Sequence, residues 1–464
     1  MDLPGEFPIR APQRLQNAMI EGLTESGVFA FRRHSTRKIR DCDTSGMIIL
    51  SAGETLRPSC ELLPYRTSDQ IVRFMTLFDK IEQTNTDQGP AAALETLVAG
   101  LREEKQWHNL FDALILQKKF ALNLPLSRPA SLQDVPEPLR KEVEETYLQA
   151  AREVGTGLLA EGDLQNAWMY FKVAREIEPV RQAFENLPDQ IHDDDQLDQL
   201  VHIALNQGVH PAKGLRLLIQ GHGICSAITA LDQNLPHFTP EQRTECAKIM
   251  VRTLYEELRE SVQRHVEQRI PMLPPHQSLE KLIAGRDWLF EGGNYHTDVS
   301  HLSSVVRFAR SIEPPAEELS LAIQLAQYGA KLDKPLQYGG DPPFADMYPA
   351  HLHFFNILLD KNREAGLTYF RRQLEAEPDS QEQPIYAYVL VDLLVRCGQM
   401  DEAVQIAERY LNNLGEEVNV SFDELCLEAG RLDVLKKVRK EQGNLVSFAA
   451  AVVREQLGTK TAGM

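Results

Sequence analysis

Beyond residue 66 apolar positions recur three and four residues apart over most of the chain, the spacing that gathers side chains on one face of an α-helix. Ile71, Phe74, Met75, Phe78 and Ile81 share such a face before a break at Gly89-Pro90. Residues 92–101 and 107–116 then form a helix pair across the polar link 102–106. Pro125, Pro129, Pro136 and Pro138 mark a connection, and the helical pattern resumes over 139–160. Asp193-Asp194-Asp195 precedes Leu197, Leu200, Val201 and Ala204, so these carboxylates complement the dipole at a helix start. Thr239-Pro240-Glu241-Gln242 is a capping box with proline at the first helical position, predicting a helix to about Arg269. Its inward face would be Ala247, Met250, Val251, Leu254, Leu258 and Val262. Such a helix is roughly 45 Å long at the α-helical rise.

The segment 147–179 carries a more specific arrangement. Gly155, Leu158, Ala167, Phe171, Ala174 and Pro179 stand around a Gly162-Asp163 turn in the spacing of a tetratricopeptide repeat, which this segment resembles. Ala151 and Val154 depart from the aromatic and leucine usual there. In physical terms, small Gly155 and Ala167 let two antiparallel helices approach, Phe171 fills their joint, and Pro179 ends the second. Looser copies follow at Glu364-Ala365 with Tyr369 and Pro378, at 398–403, and at 430–433, so the resemblance covers about a third of the chain. It implies helix hairpins that stack on their neighbours, because one hairpin cannot bury both faces alone.

Composition narrows the function classes. An apolar fraction of 43% and a charged fraction of 25% belong to an ordinary globular protein. The net charge is −18, yet residues 1–65 hold eight basic and eight acidic residues, leaving 41 basic and 59 acidic residues beyond them. The helical part is therefore acidic, which argues against nucleic-acid binding and favours a basic partner or a bound cation. The first 65 residues, with Arg32, Arg33, Arg37, Lys38 and Arg40, read as a poorly structured segment or a basic arm for an anionic partner. Cys42, Cys60, Cys225, Cys246, Cys397 and Cys426 include no CxxC pair, so neither a disulfide framework nor a cysteine zinc site is expected. With no apolar run near 18 residues and no signal-peptide pattern, no membrane contact and a cytoplasmic location are expected.

Eleven of the thirteen histidines fall between residues 192 and 353, where three polar connections lie at helix boundaries. One contains His210 and, a helix later, His222 with Cys225. The second, residues 292–310, sets Tyr295, His296, Asp298 and His301 against the start of a helix whose buried positions are Leu302, Val305, Val306, Ala309 and Ile312. The third runs from Gln337 through Asp341 to His351. Tyr295, His296, Asp298, His301, His222, Asp341 and His351 are accordingly the candidates for one polar pocket. His210, His222, His296, Asp298, His301 and His351 offer enough nitrogen and oxygen donors for a divalent zinc, iron or manganese ion. Against that stand two simpler readings: Asp298 caps its helix while the histidines bond to carbonyls, and His and Asp do metal-free acid/base work. A Cys225/His222 nucleophile pair is a further alternative. Trp107, Trp168 and Trp288 are too dispersed for a stacking platform and are expected in the core.

The expected fold is all-α, a tetratricopeptide-like α-solenoid of stacked antiparallel helix hairpins with an atypical histidine-rich central part. Its segments would be 1–65, poorly structured; 66–190, helical repeats; 191–353, a helical region with polar loops; 354–458, helical repeats; and 459–464, a tail. The function expected is that of a scaffold binding a protein or peptide partner. The alternative is a metal-dependent hydrolase or lyase using the His/Asp cluster.

Overall fold

A computed structural model describes residues 76–188, 190–270, 274, 277–413 and 421–461. The expectations for residues 1–65, including Cys42 and Cys60, and for 68–75 lie outside the described residues. Among the described residues every regular element is helical and no strand occurs. No described helix is long and apolar enough to cross a membrane. The chain divides into two compact units, Met1–Arg175 and Glu176–Met464.

In the first unit α1 (Leu77–Gln88), α2 (Pro90–Glu103), α3 (Trp107–Ala121), α4 (Glu137–Ala160) and α5 (Leu164–Ala174) each pack on the next. A capping box opens α1, with the Asp79 N–H donating to Thr76 Oγ1 and the Thr76 N–H donating to the Asp79 carboxylate. Phe78 does not lie on a core face as its spacing suggests. It is 81% exposed, and Leu77 instead makes the contact, filling the space over Gly100.

The α4–α5 hairpin forms where the repeat resemblance puts it. The chain turns at Gly162, in the left-handed region, and the Asp163 carboxylate accepts the N–H of Asn166 to start α5. Phe171 is buried against Gly155, where an added Cβ would come within 2.8 Å of the ring. Trp107 covers Gly157 in the same manner. Pro179 does not end α5, which stops at Ala174; it stands in the first turn of α6 (Glu178–Glu185), where its fixed φ and missing N–H cost nothing. The proline-marked connection before α4 is tied down by Lys119. That side chain is fully buried, and its Nζ donates to the carbonyls of Arg128 at 2.7 Å and Ser131 at 2.5 Å. Burial lowers its pKa.

In the second unit Asp193 caps α7 (Asp194–Val201), accepting the Gln196 N–H, and a π-helical turn follows over His202–Asn206. α8 (Pro211–Asn234) is broken at Gly223, so the glycine-flanked His222 does mark a helix boundary. α9 (Pro240–Arg269) begins at the Thr239/Gln242 capping box. Its expected inward residues, Ala247, Met250, Val251, Leu254, Leu258 and Val262, are fully buried. This stripe packs against α8, α10 (Leu279–Ile283), α11 (Val299–Phe308) and α12 (Glu317–Ala330). From α12 each helix packs on its successor through α13 (Met347–Leu358), α14 (Arg363–Ala376), α15 (Gln383–Arg396), α16 (Met400–Tyr410), α17 (Phe422–Glu428), α18 (Leu432–Glu441) and α19 (Leu445–Thr461). Gly398 and Gly430 make the expected turns before α16 and α18 with positive φ. Between α12 and α13 the Tyr348 ring occupies the space beside Gly329.

Candidate functional site

The loop before α11 is held by a buried phenol. Tyr328, fully buried on α12, accepts the backbone N–H of His296 at 2.9 Å and lies 2.9 Å from His296 Nδ1. His296 Nε2 lies 2.8 Å from Nδ1 of His265 on α9. Phe290 packs at 5.2 Å from the Tyr328 ring and Trp288 stands edge-on to His265 at 5.3 Å. Burial, with His265 as the second cause, pushes the His296 pKa down to about 4, so its imidazole is neutral near pH 7. The helix itself is started by Asp298, which accepts from Ser300 Oγ at 2.5 Å and from the N–H groups of Ser300 and His301. The hydroxyl of Ser300 is the main reason that the Asp298 pKa is lowered. Tyr295 is exposed. His301 turns its charge interactions toward Asp298 and Glu257.

The other candidates have different partners. His222 Nε2 pairs with Asp198 of α7 at 2.9 Å, at the surface, and no hydrogen bond joins it to Cys225, which is exposed. His210 caps α8 by accepting the Lys213 N–H, and its pKa is lowered mainly by burial. His351 is buried on α13, with Nδ1–H donating to the Met347 carbonyl at 2.6 Å and Nε2 left without a hydrogen-bond partner. Its ring lies 4.5 Å from Phe344, over which the Arg310 guanidinium also sits at 4.5 Å. Burial and then the Arg310 charge push the His351 pKa down to about 3. Asp341 bears electrostatically on Arg310, and its carbonyl accepts the Phe344 N–H. The 292–310 stretch thus joins two polar centres, His296 at one end and Arg310, Asp341 and His351 at the other.

Among the described residues no group of three or more His, Cys, Asp or Glu is placed to hold a metal ion. His210, His222, His296, Asp298, His301 and His351 are therefore not assembled into a ligand set; each is engaged locally, as a cap, an ion pair or a ring contact. His265 and Tyr328, which complete the His296 centre, were not among the sequence candidates. The one signal for His265 is its place at the edge of the α9 apolar stripe, three residues after Val262. Trp168 is buried as expected, whereas Trp288 is partly exposed, with Arg269 lying 4.2 Å over its ring.

A second feature lies on α8 and α9. A groove of about 450 Å³ runs between them, floored by Ile219 and Ile249 and edged by Arg216, Lys248, Arg252 and Glu256. A hollow of about 420 Å³ adjoins it and shares Arg216 and Gln220. Lys248 pairs with Glu245 at 2.8 Å and Arg252 with Glu318 at 2.5 Å, while Arg216 has no ion pair among the described residues. On α9 the charged residues at 245, 248, 252 and 256 form the face opposite the buried stripe, which in sequence reads only as a solvated surface.

Comparison of the chain with protein-family models, with curated proteins and with solved structures finds no match. What defines the class is the structure itself: among the described residues all regular structure is helical and most consecutive helices within each unit pack on one another, with a polar groove and a partly buried Tyr–His–His chain in the second unit.

Proposed function

We propose that the protein is a binding scaffold of tetratricopeptide-like helix hairpins, arranged as an α-solenoid, that holds a segment of another protein in the groove between α8 and α9. The observation that carries this reading is Arg216, a cation without an ionic partner among the described residues, at the junction of two adjoining hollows. The other charges of the lining are largely neutralised in pairs, so the free guanidinium selects for a carboxylate. Ile219 and Ile249 offer an apolar floor beside it. The segment recognised would carry an Asp or Glu next to an aliphatic side chain. The acidity of the whole chain favours a partner with basic residues elsewhere, outside the groove.

The test is a random peptide display selection on the full chain, followed by fluorescence anisotropy with the selected peptides. Enrichment of an acidic residue beside an aliphatic one is expected, with affinity falling about tenfold or more in Arg216→Glu, the order of a lost and reversed charge contact. Selected peptides that bind Arg216→Glu as well as wild type would refute the assignment of the groove.

A further inference from the structure

The hydrogen bonds of the His296 centre have a direction that their lengths alone do not reveal. Tyr328 oxygen accepts the His296 backbone N–H, and the phenol has one proton to give. If His296 Nδ1 carried the imidazole proton, it too would donate to Tyr328, and a fully buried phenolic O–H would have nothing to donate to. The arrangement that satisfies every group has Tyr328 O–H donating to Nδ1. His296 then carries its proton on Nε2 and donates to Nδ1 of His265. With Nδ1 accepting, the proton of His265 is on its own Nε2. That nitrogen has no partner among the described residues and is not one of the buried polar atoms that lack one. The hydrogen-bonded chain anchored on buried Tyr328 therefore fixes the outer edge of His265 as a hydrogen-bond donor.

Its neighbours are donors too. Trp288, edge-on to His265, has an indole N–H and no acceptor nitrogen. Arg269 lies over the Trp288 ring at 4.2 Å and has no ion pair among the described residues. The nearby Asp287 carboxylate is engaged by Lys331 at 2.9 Å. An imidazole N–H and an unpaired guanidinium on either side of one indole ring suit an acceptor of negative charge. We infer that His265, Arg269 and Trp288 form a second recognition site, one for the carboxylate of an acidic side chain on a partner protein. Stacking on Trp288 holds the Arg269 guanidinium in place, so less side-chain freedom is lost when the carboxylate arrives. The site does not depend on the α8–α9 groove, whose lining it does not share.

The experiment uses the full chain labelled with ¹⁵N-histidine, and long-range ¹H–¹⁵N spectra that report which ring nitrogen carries the proton. His265 and His296 are both expected as Nε2–H tautomers. Titration with acetyl-tetraglutamate amide should move the His265 Nε2 resonance saturably and leave His222 in place. Arg269→Gln, at an exposed position, should weaken that binding at least fivefold without changing the tautomers. Tyr328→Phe should mix the tautomers of both rings, an effect that loss of packing alone does not produce. Nδ1–H tautomers in the wild type, or equal tetraglutamate affinity in Arg269→Gln, would overturn the inference. Acetate binding as tightly as the peptide would overturn the assignment to a protein partner. Because Arg216→Glu leaves this site intact, loss of groove binding in that variant and loss of His265 binding in Arg269→Gln are separable results.

Discussion

Acidification tests the enclosed imidazole of His351 and the half-buried one of His296 together. His351 has its pKa pushed down to about 3 and His296 to about 4, against an ordinary value near 6.5 in the unfolded chain. Below pH 6.5 the unfolded chain takes up protons that the folded one refuses, so stability is full above that value and falls as the pH drops toward the folded pKa values. Each pH step of one corresponds to about 1.4 kcal/mol, so between pH 6.5 and 5 the enclosed His351 ring removes about 2 kcal/mol, and the half-buried His296, partly screened by solvent, removes less. Together these losses are a large part of the roughly 5–15 kcal/mol that holds a domain together. His351→Leu isolates one ring. Leucine suits the neighbours Phe344 and Phe355 and deletes the unpartnered Nε2, which offsets the lost hydrogen bond to the Met347 carbonyl, and it leaves no imidazole to protonate beside Arg310 and Arg307 in acid. Urea titrations at pH 7.5, 6 and 5 should show similar stability of variant and wild type at pH 7.5, with the variant losing about 2 kcal/mol less on reaching pH 5. Carboxylates common to both proteins cancel in that difference. Equal losses would mean that His351 is hydrated and titrates normally, and the argument from burial would fail.

Phe171→Ala should cost about 3–5 kcal/mol by leaving a core cavity, as read from a denaturant titration. Gly155→Ala should also destabilise, by about 1 kcal/mol, because the clash with Phe171 outweighs the gain in helix propensity; Phe171→Leu in the same chain should relieve it. Burial pushes the thiols of Cys246 and Cys426 up to about 12, whereas Cys225 is exposed. Peptide mapping after brief maleimide treatment at pH 7 should find Cys225 modified and the other two protected, and rapid labelling of Cys246 would show that the inner face of α9 opens.

Local signals revealed the elements, and long-range contacts decided the site. The capping box at Thr239 and the stripe from Ala247 to Val262 are written within one helix, so α9 could be read almost to its ends. The Gly162-Asp163 turn and the Phe171 position were legible for the same reason. Pro179 misled because a proline stops one helix and starts another with equal ease. The histidines of the loops drew attention to His296, which was expected to share one pocket with His222 and His351 and instead has His265 and Tyr328 as partners. Its partners could not be found that way, since His265 and Tyr328 are 31 and 32 residues distant and look like members of apolar faces. His222 and His351, identical as letters, differ completely in surroundings, one paired at the surface and one enclosed by phenylalanines. The groove was invisible because its charged lining follows the pattern of any solvated helix face.

The glycines that accept a neighbour's bulk have a consequence for how this chain can change over evolutionary time. Gly100 meets Leu77, Gly155 meets Phe171, Gly157 meets Trp107 and Gly329 meets Tyr348, each pair filling one helix contact with a large group on one side and nothing on the other. Neither member varies alone without cost: a side chain added at the glycine presses on its neighbour, and a smaller side chain opposite leaves a void. Descendants should therefore exchange both members together, and a collection of diverged sequences would show these pairs as linked substitutions. Where the hairpins carry no such pair, single replacements are tolerated, and the record of divergence would be written there first.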